Sequence, residues 1–123
     1  FIIKNDKLRY EALLNSMGKK FNLRKITKNS ETIFDTLIFF EENENLRNKI
    51  VQHLKKQGFG TKNLPDAIEW HCASFWDHAL TKEQINKTKK TQDILNKAIA
   101  IPIWLKKSVK DYSILGKVLK NLK

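Results

Sequence analysis

The run "TIFDTLIFF", residues 32–40, constrains this chain more than any other stretch. β-Branched and aromatic residues fit a pleated, packed surface, so the run predicts a strand with structure on both sides of it. "FNLRKI" at 21–26 alternates Phe21, Leu23 and Lys25 with polar neighbours and reads as a second, shorter strand. Between the two lies "TKNSE", a turn-forming composition. Strand, turn and strand in succession predict an antiparallel hairpin with 32–40 central in the sheet. "AIAIPIW" at 98–104 continues as a strand until Pro102, which cannot donate to a ladder and belongs at a sheet edge or a strand end.

Three other stretches carry helical periodicity. Residues 5–20 place Leu8, Ala12, Leu13 and Met17 at helical spacing, with Asn5 or Asp6 as the expected cap and Gly18 as the stop. In "ENENLRNKIVQHLKKQG", Leu46, Ile50, Val51 and Leu54 share one face. Acidic residues open this run, basic ones close it, and Gly58 follows. Toward the end, Ser108 precedes a stripe of Val109, Tyr112, Leu115, Val118, Leu119 and Leu122. Thr81 with Gln84 has the spacing of a capping box for a further short helix. The expected class is α+β: a small antiparallel or mixed sheet with helices packed on one face, in a single domain over residues 1–123. No internal repeat or linker divides the chain.

A formal charge of +11 raises the question of nucleic acid. Lysine outnumbers arginine 21 to 3, whereas the planar arginine fork is what base and phosphate recognition favours. The lysines are dispersed, and the abundance of Lys, Asn and Ile is what AT-rich codons encode. No specific nucleic-acid site and no membrane partner are therefore expected. No apolar run approaches the ~20 residues of a membrane helix. The lone Cys72 excludes an internal disulfide and fits a reducing, cytoplasmic setting. The lack of an initiator methionine suggests a fragment or a processed chain.

Residues 58–80, "GFGTKNLPDAIEWHCASFWDHAL", concentrate two of three tryptophans, two of three histidines and the only cysteine. His71, Cys72, His78 and Asp77 are metal ligands by type, but their spacing matches no familiar zinc pattern. A Cys72 nucleophile would need a base held against it, and His71 is its sequence neighbour. Trp70, Phe75 and Trp76 could equally fill a core beneath a long loop. The polar loop with Thr61, Lys62 and Asn63, followed by histidines beside tryptophans, has the composition of a polar pocket lining.

The "GFGTKNLP" turn, the "WH…WDH" segment and the "IL…AIAIPI" strand together resemble the C-terminal small domain of a DegT/DnrJ-type sugar aminotransferase. Within that group the similarity is greatest to the branch that makes 8-amino-3,8-dideoxy-octulosonate, an amino sugar of lipopolysaccharide biosynthesis. The resemblance covers essentially the whole chain, and the "WH…WDH" piece is its most specific part. It implies an enzyme of the aspartate aminotransferase fold using pyridoxal phosphate, with a keto-sugar substrate, an amino donor such as glutamate, and a homodimer as the working form. It also implies that Thr61, Lys62, Asn63, His71 and His78 bind the sugar acid, with Trp70 and Trp76 as flat surfaces against the sugar or the core. The Schiff-base lysine, the aspartate at the pyridine nitrogen and the phosphate loop of such enzymes belong to a large domain not found in these 123 residues. This chain is accordingly expected to be inactive alone, a C-terminal portion that lines the substrate cleft of a longer enzyme. The competing expectations are a stand-alone basic α+β module that binds an acidic partner or nucleic acid, and an inactive remnant of such an enzyme.

Overall fold

The structure, a computed structural model, describes residues 2–123. Its sheet has three strands, β1 (Asn22–Leu23), β2 (Thr36–Phe40) and β3 (Ala98–Pro102), in the order β1-β2-β3. Both pairings are antiparallel, which places the predicted strand at the centre. The register sets Leu37 opposite Ile101 and Phe39 opposite both Ile99 and Leu23. Side chains alternate across a strand, so these five residues share one face. Four of them, Leu37, Phe39, Ile99 and Ile101, are fully buried. The opposite face carries Asn22, Thr36, Ile38, Phe40, Ala98 and Ala100.

Three helices cover the apolar face: α1 (Ile2–Met17), α2 (Glu44–Lys56) and α6 (Val109–Leu122). They contribute Leu13 and Met17, Ile50, Val51 and Leu54, and Tyr112, Leu115 and Leu119 to one core with the sheet. In α2 the Asn43 side chain accepts from Leu46 N–H, Glu44 lies in the first turn, and His53, Lys55 and Lys56 lie in the last, a charge order that matches the helix dipole. Gly58 follows at φ +71°, a left-handed turn that a Cβ would strain. In α6, Ser108 and Asp111 form a reciprocal capping box. α1 and α6 meet at Gly116. A Cβ there would stand 1.9 Å from Ser16 Oγ and 2.8 Å from the Leu13 carbonyl oxygen.

The start of α1 differs from the sequence expectation. The helix is already formed at Ile2, so Asn5 and Asp6 lie inside it and neither caps it. Asp6 is buried, and its Oδ1 has no hydrogen-bond partner among the described residues. Leu8, expected on the apolar stripe, is half exposed. The buried positions Asp6, Leu13 and Met17 lie seven and four residues apart on one face, from which Leu8 is turned away. The strand expected over 32–40 forms only from Thr36. Phe34 sits at φ +58°, outside the strand region, and its ring packs edge-on to Tyr10 of α1 at 5.4 Å.

The segment between α2 and β3 consists of short pieces. α3 (Ile68–His71) and a 3-10 turn (Ala73–Phe75) come first, then α4 (Lys82–Lys87) and α5 (Lys89–Leu95). The Thr81–Gln84 capping box opens α4. Upstream, the loop at 60–64 runs beside β3: Lys62 N–H donates to Ala100 O at 2.8 Å, and Ala100 N–H donates to Leu64 O at 3.1 Å. The outer edge of β3 is thereby covered by its own chain. Among the described residues no helix is long and apolar enough to cross a membrane.

Candidate functional site

The sheet face turned away from the helices forms the floor of an open cleft of about 720 Å³. Ile38 and Ala100, paired across β2 and β3, lie on that floor. Arg24 extends β1 by one rung, its N–H donating to Ile38 O at 2.9 Å, and it lines the cleft on the other side of Ile38. One wall is the 25–33 loop. The other is built from Lys62, Asn63, Leu64, His71 at the end of α3, and Leu95 at the end of α5.

The loop that brings Lys62 and Asn63 here is shaped by its sequence. Gly60 (φ +67°) and Asn63 (φ +68°) take left-handed conformations, which glycine adopts freely and asparagine tolerates. Thr61 Oγ1 donates to Asp66 Oδ2 at 2.7 Å, and Lys55 Nζ reaches the same carboxylate through Oδ1 at 2.8 Å. Burial pushes the Asp66 carboxyl up, yet these two partners outweigh it and hold it below the ordinary range. Thr61 therefore closes the loop on itself and does not line the cleft.

Lys62 Nζ forms a short hydrogen-bonded ion pair with Asp35 Oδ2, and both residues line the cleft. This hydrogen bond, against the opposing effect of burial, holds the Asp35 carboxyl below its usual range. Both partners remain over 40% solvent-exposed in their side chains, so the pair ties the 60–64 loop to the residue just before β2 more than it stabilises the fold. The cleft thus contains three cations, Arg24, Lys25 and Lys62, against two carboxylates, Glu31 and Asp35.

The seven residues singled out from the sequence separate into three groups. Lys62, Asn63 and His71 come together in the cleft. Trp70, Trp76 and His78 line a different concavity with Glu69 and Phe75. Thr61 stands apart in the loop. Trp70 is 81% exposed and Trp76 38%, so neither fills the core. Trp76 Nε1 donates to Glu69 O at 3.2 Å, which pins that ring to the surface of α3. The third tryptophan, Trp104, reaches inward with its Nε1 to Phe59 O at 2.8 Å.

Cys72 is buried, with Sγ 2.9 Å from Ser74 Oγ, while His71 beside it is exposed to the cleft. That arrangement offers the thiol no base. Among the described residues, no group of three His, Cys, Asp or Glu side chains is placed to hold a metal ion. Arg24, Glu31 and Asp35 escaped the sequence reading. The signal for Arg24 lay in register: once 21–26 and 32–40 are paired as a hairpin, Arg24 falls beside Ile38 on the face opposite the apolar one.

No protein-family model matches the chain, and comparison with curated proteins and with solved structures gives no match to either.

Proposed function

We propose that this chain is the small domain of a pyridoxal-phosphate-dependent sugar aminotransferase of the DegT/DnrJ type and that its open cleft forms one wall of the substrate site. The observation that carries the reading is the convergence of Lys62, Asn63 and His71, from the segment on which the resemblance rests, over a polar cleft on the open side of a helix-backed sheet. Such an enzyme would move an amino group from a donor such as glutamate to a keto-sugar. The contribution of this chain is binding and orientation: charge from the cleft cations and hydrogen bonds from Asn63 and His71 fix a polyhydroxylated ligand against Ile38.

The cleft residues do not fit the cofactor itself. The cleft lining comes from the sheet, from loops and from the C-terminal ends of α3 and α5, so among the described residues no helix N-terminus lines it, and Lys62 is paired with Asp35. No step of the transamination is assigned to these residues.

The test is the intact mass of the longest product of the gene in its native source, together with its absorbance in the visible cofactor band. A mass several-fold 14.4 kDa with a band removed by borohydride supports the reading, and a 14.4 kDa product without the band sinks it. In the longer enzyme, His71→Ala should raise the KM for the sugar substrate, whereas His78→Ala should leave it close to wild type. Equal effects of the two would break the link between cleft and substrate.

A further inference from the structure

Resting on the reading that the cleft receives a sugar acid, we infer that Arg24 is the residue that binds the ligand's carboxylate and that the Lys62–Asp35 pair reads its hydroxyl groups. The resemblance implies Lys62 or a protonated histidine as the partner of the carboxylate. The structure takes Lys62 out of that role. Its ammonium is already neutralised by Asp35, and an incoming carboxylate would have to displace one that is tethered and hydrogen-bonded.

Arg24 differs in each respect. Its guanidinium makes no ion pair and no side-chain hydrogen bond with another described residue, and the group it acts on electrostatically is the neutral Tyr10 phenol, not a carboxylate. Its backbone is fixed in the ladder by the bond to Ile38 O, so the side chain projects from a rigid element. A planar fork of donors matches a carboxylate bidentately, which an ammonium cannot do. The other two arginines are both engaged: Arg9 donates to Asn5 O, Leu105 O and Lys107 O, and Arg47 donates to Glu41 O.

The ion pair then takes on a different function. Lys62 offers donors and Asp35 offers acceptors side by side, the combination that a hydroxyl group, being both donor and acceptor, satisfies. A cleft of about 720 Å³ has room for a polyol chain extending from Arg24 toward that pair. A ligand with one carboxylate and several hydroxyls uses both halves, whereas a bare anion uses only one.

The experiment titrates the 123-residue chain with sodium D-gluconate and with D-glucitol, the polyol of the same carbon skeleton without the carboxylate, at matched ionic strength. Amide chemical shifts are followed by NMR. Gluconate is expected to shift the amides of Arg24, Asn63 and His71 and to bind at least about tenfold more tightly than glucitol, as loss of a charge-assisted hydrogen bond implies. Arg24→Gln should abolish that preference while its spectrum stays dispersed, and Arg24→Lys should recover part of it. The Lys62→Gln/Asp35→Asn pair should weaken both ligands and keep the preference for gluconate. Equal binding of the two ligands, no gluconate binding, or loss of the preference in the Lys62/Asp35 variant but not in Arg24→Gln would each overturn the inference. Failure of the aminotransferase reading is seen separately, in the mass and the absorbance band. A chain that prefers gluconate through Arg24 but belongs to a product with no cofactor would keep the site and lose the enzyme.

Discussion

Tyr112 shows how much one side chain can fasten. It is fully buried, donates from its hydroxyl to Pro102 O at 2.8 Å and accepts from Trp104 N–H at 2.7 Å, and so ties α6 to the end of β3. Burial is the main reason its phenol is pushed up to about 12. A group whose folded value lies above its unfolded one stabilises the fold fully below the unfolded value, near 10. That contribution is then lost as pH rises toward 12. Tyr112→Phe should cost about 1–3 kcal/mol at neutral pH, since it leaves Trp104 N–H without its acceptor. It should also flatten the alkaline limb of a denaturation series run against pH. A wild-type limb that survives unchanged in the variant would refute the assignment. Glu41 is the acidic counterpart. Its carboxylate is almost wholly buried and takes hydrogen bonds from Lys123 Nζ at 2.8 Å and Asn43 N–H at 3.0 Å. Burial alone would raise its pKa, but Lys123, Asn43 and Arg47 together bring it below the ordinary value. Lys123→Ala should therefore lower Tm by several degrees, because removing one partner of a buried pair leaves the other charge uncompensated. Thermal melts of the two proteins decide it.

Among the elements, the crossing of α1 and α6 has the narrowest tolerance. Gly116→Ala would improve helix propensity by about 1 kcal/mol. The added Cβ nevertheless meets Ser16 Oγ, which can rotate, and the Leu13 carbonyl, which cannot. The helices must separate, so a net loss of about 1–3 kcal/mol is expected. Ser16→Gly in the same chain should restore only part, because the backbone contact remains; full restoration would show that Ser16 alone sets the spacing. Much of this architecture was legible in the sequence, and the physical reason is periodicity. Ile50, Val51 and Leu54 in α2 and Tyr112, Leu115 and Leu119 in α6 are spaced as a helix demands, and Ser108 and Thr81 announce their capping boxes. β-Branched and aromatic content marked β2 as the central strand, and the missing N–H of Pro102 marked a sheet edge or a strand end; it closes β3, an outer strand. What periodicity could not convey was tertiary. Phe34 leaves the strand run because Tyr10, far away in sequence, holds its ring. Nothing in the local spelling of residues 58–80 says that His71 and Trp70, adjacent in the chain, face different concavities. Arg24 was invisible as a site residue because a short strand gives few alternations from which to read its face.

Across the whole molecule the charge of +11 sets the response to acid. Asp35, Glu41, Asp66 and Asp111 are all held below their ordinary values. Carboxylates depressed in the fold contribute stability above their unfolded values, near 4, and lose it as pH falls through the folded ones. Protonation also strips negative charge from a chain already strongly positive, and self-repulsion grows. Urea midpoints should therefore drop between about pH 6 and about pH 3, and added salt should recover part of the loss by screening. A midpoint that holds steady over that interval would contradict both arguments. The pairing of α1 with α6 bears on how such a molecule comes to be folded at all. α1 packs chiefly on α6, so the core closes through contacts between residues as distant in sequence as Leu13 and Gly116. Closing so long a loop is entropically costly before any contact rewards it. On the ribosome, α1 would leave the exit tunnel with its apolar side largely unmatched and wait until α6 is synthesised. Productive folding is then a late event, set by the arrival of α6, and a chain stalled before Ser108 should be the species that chaperones hold.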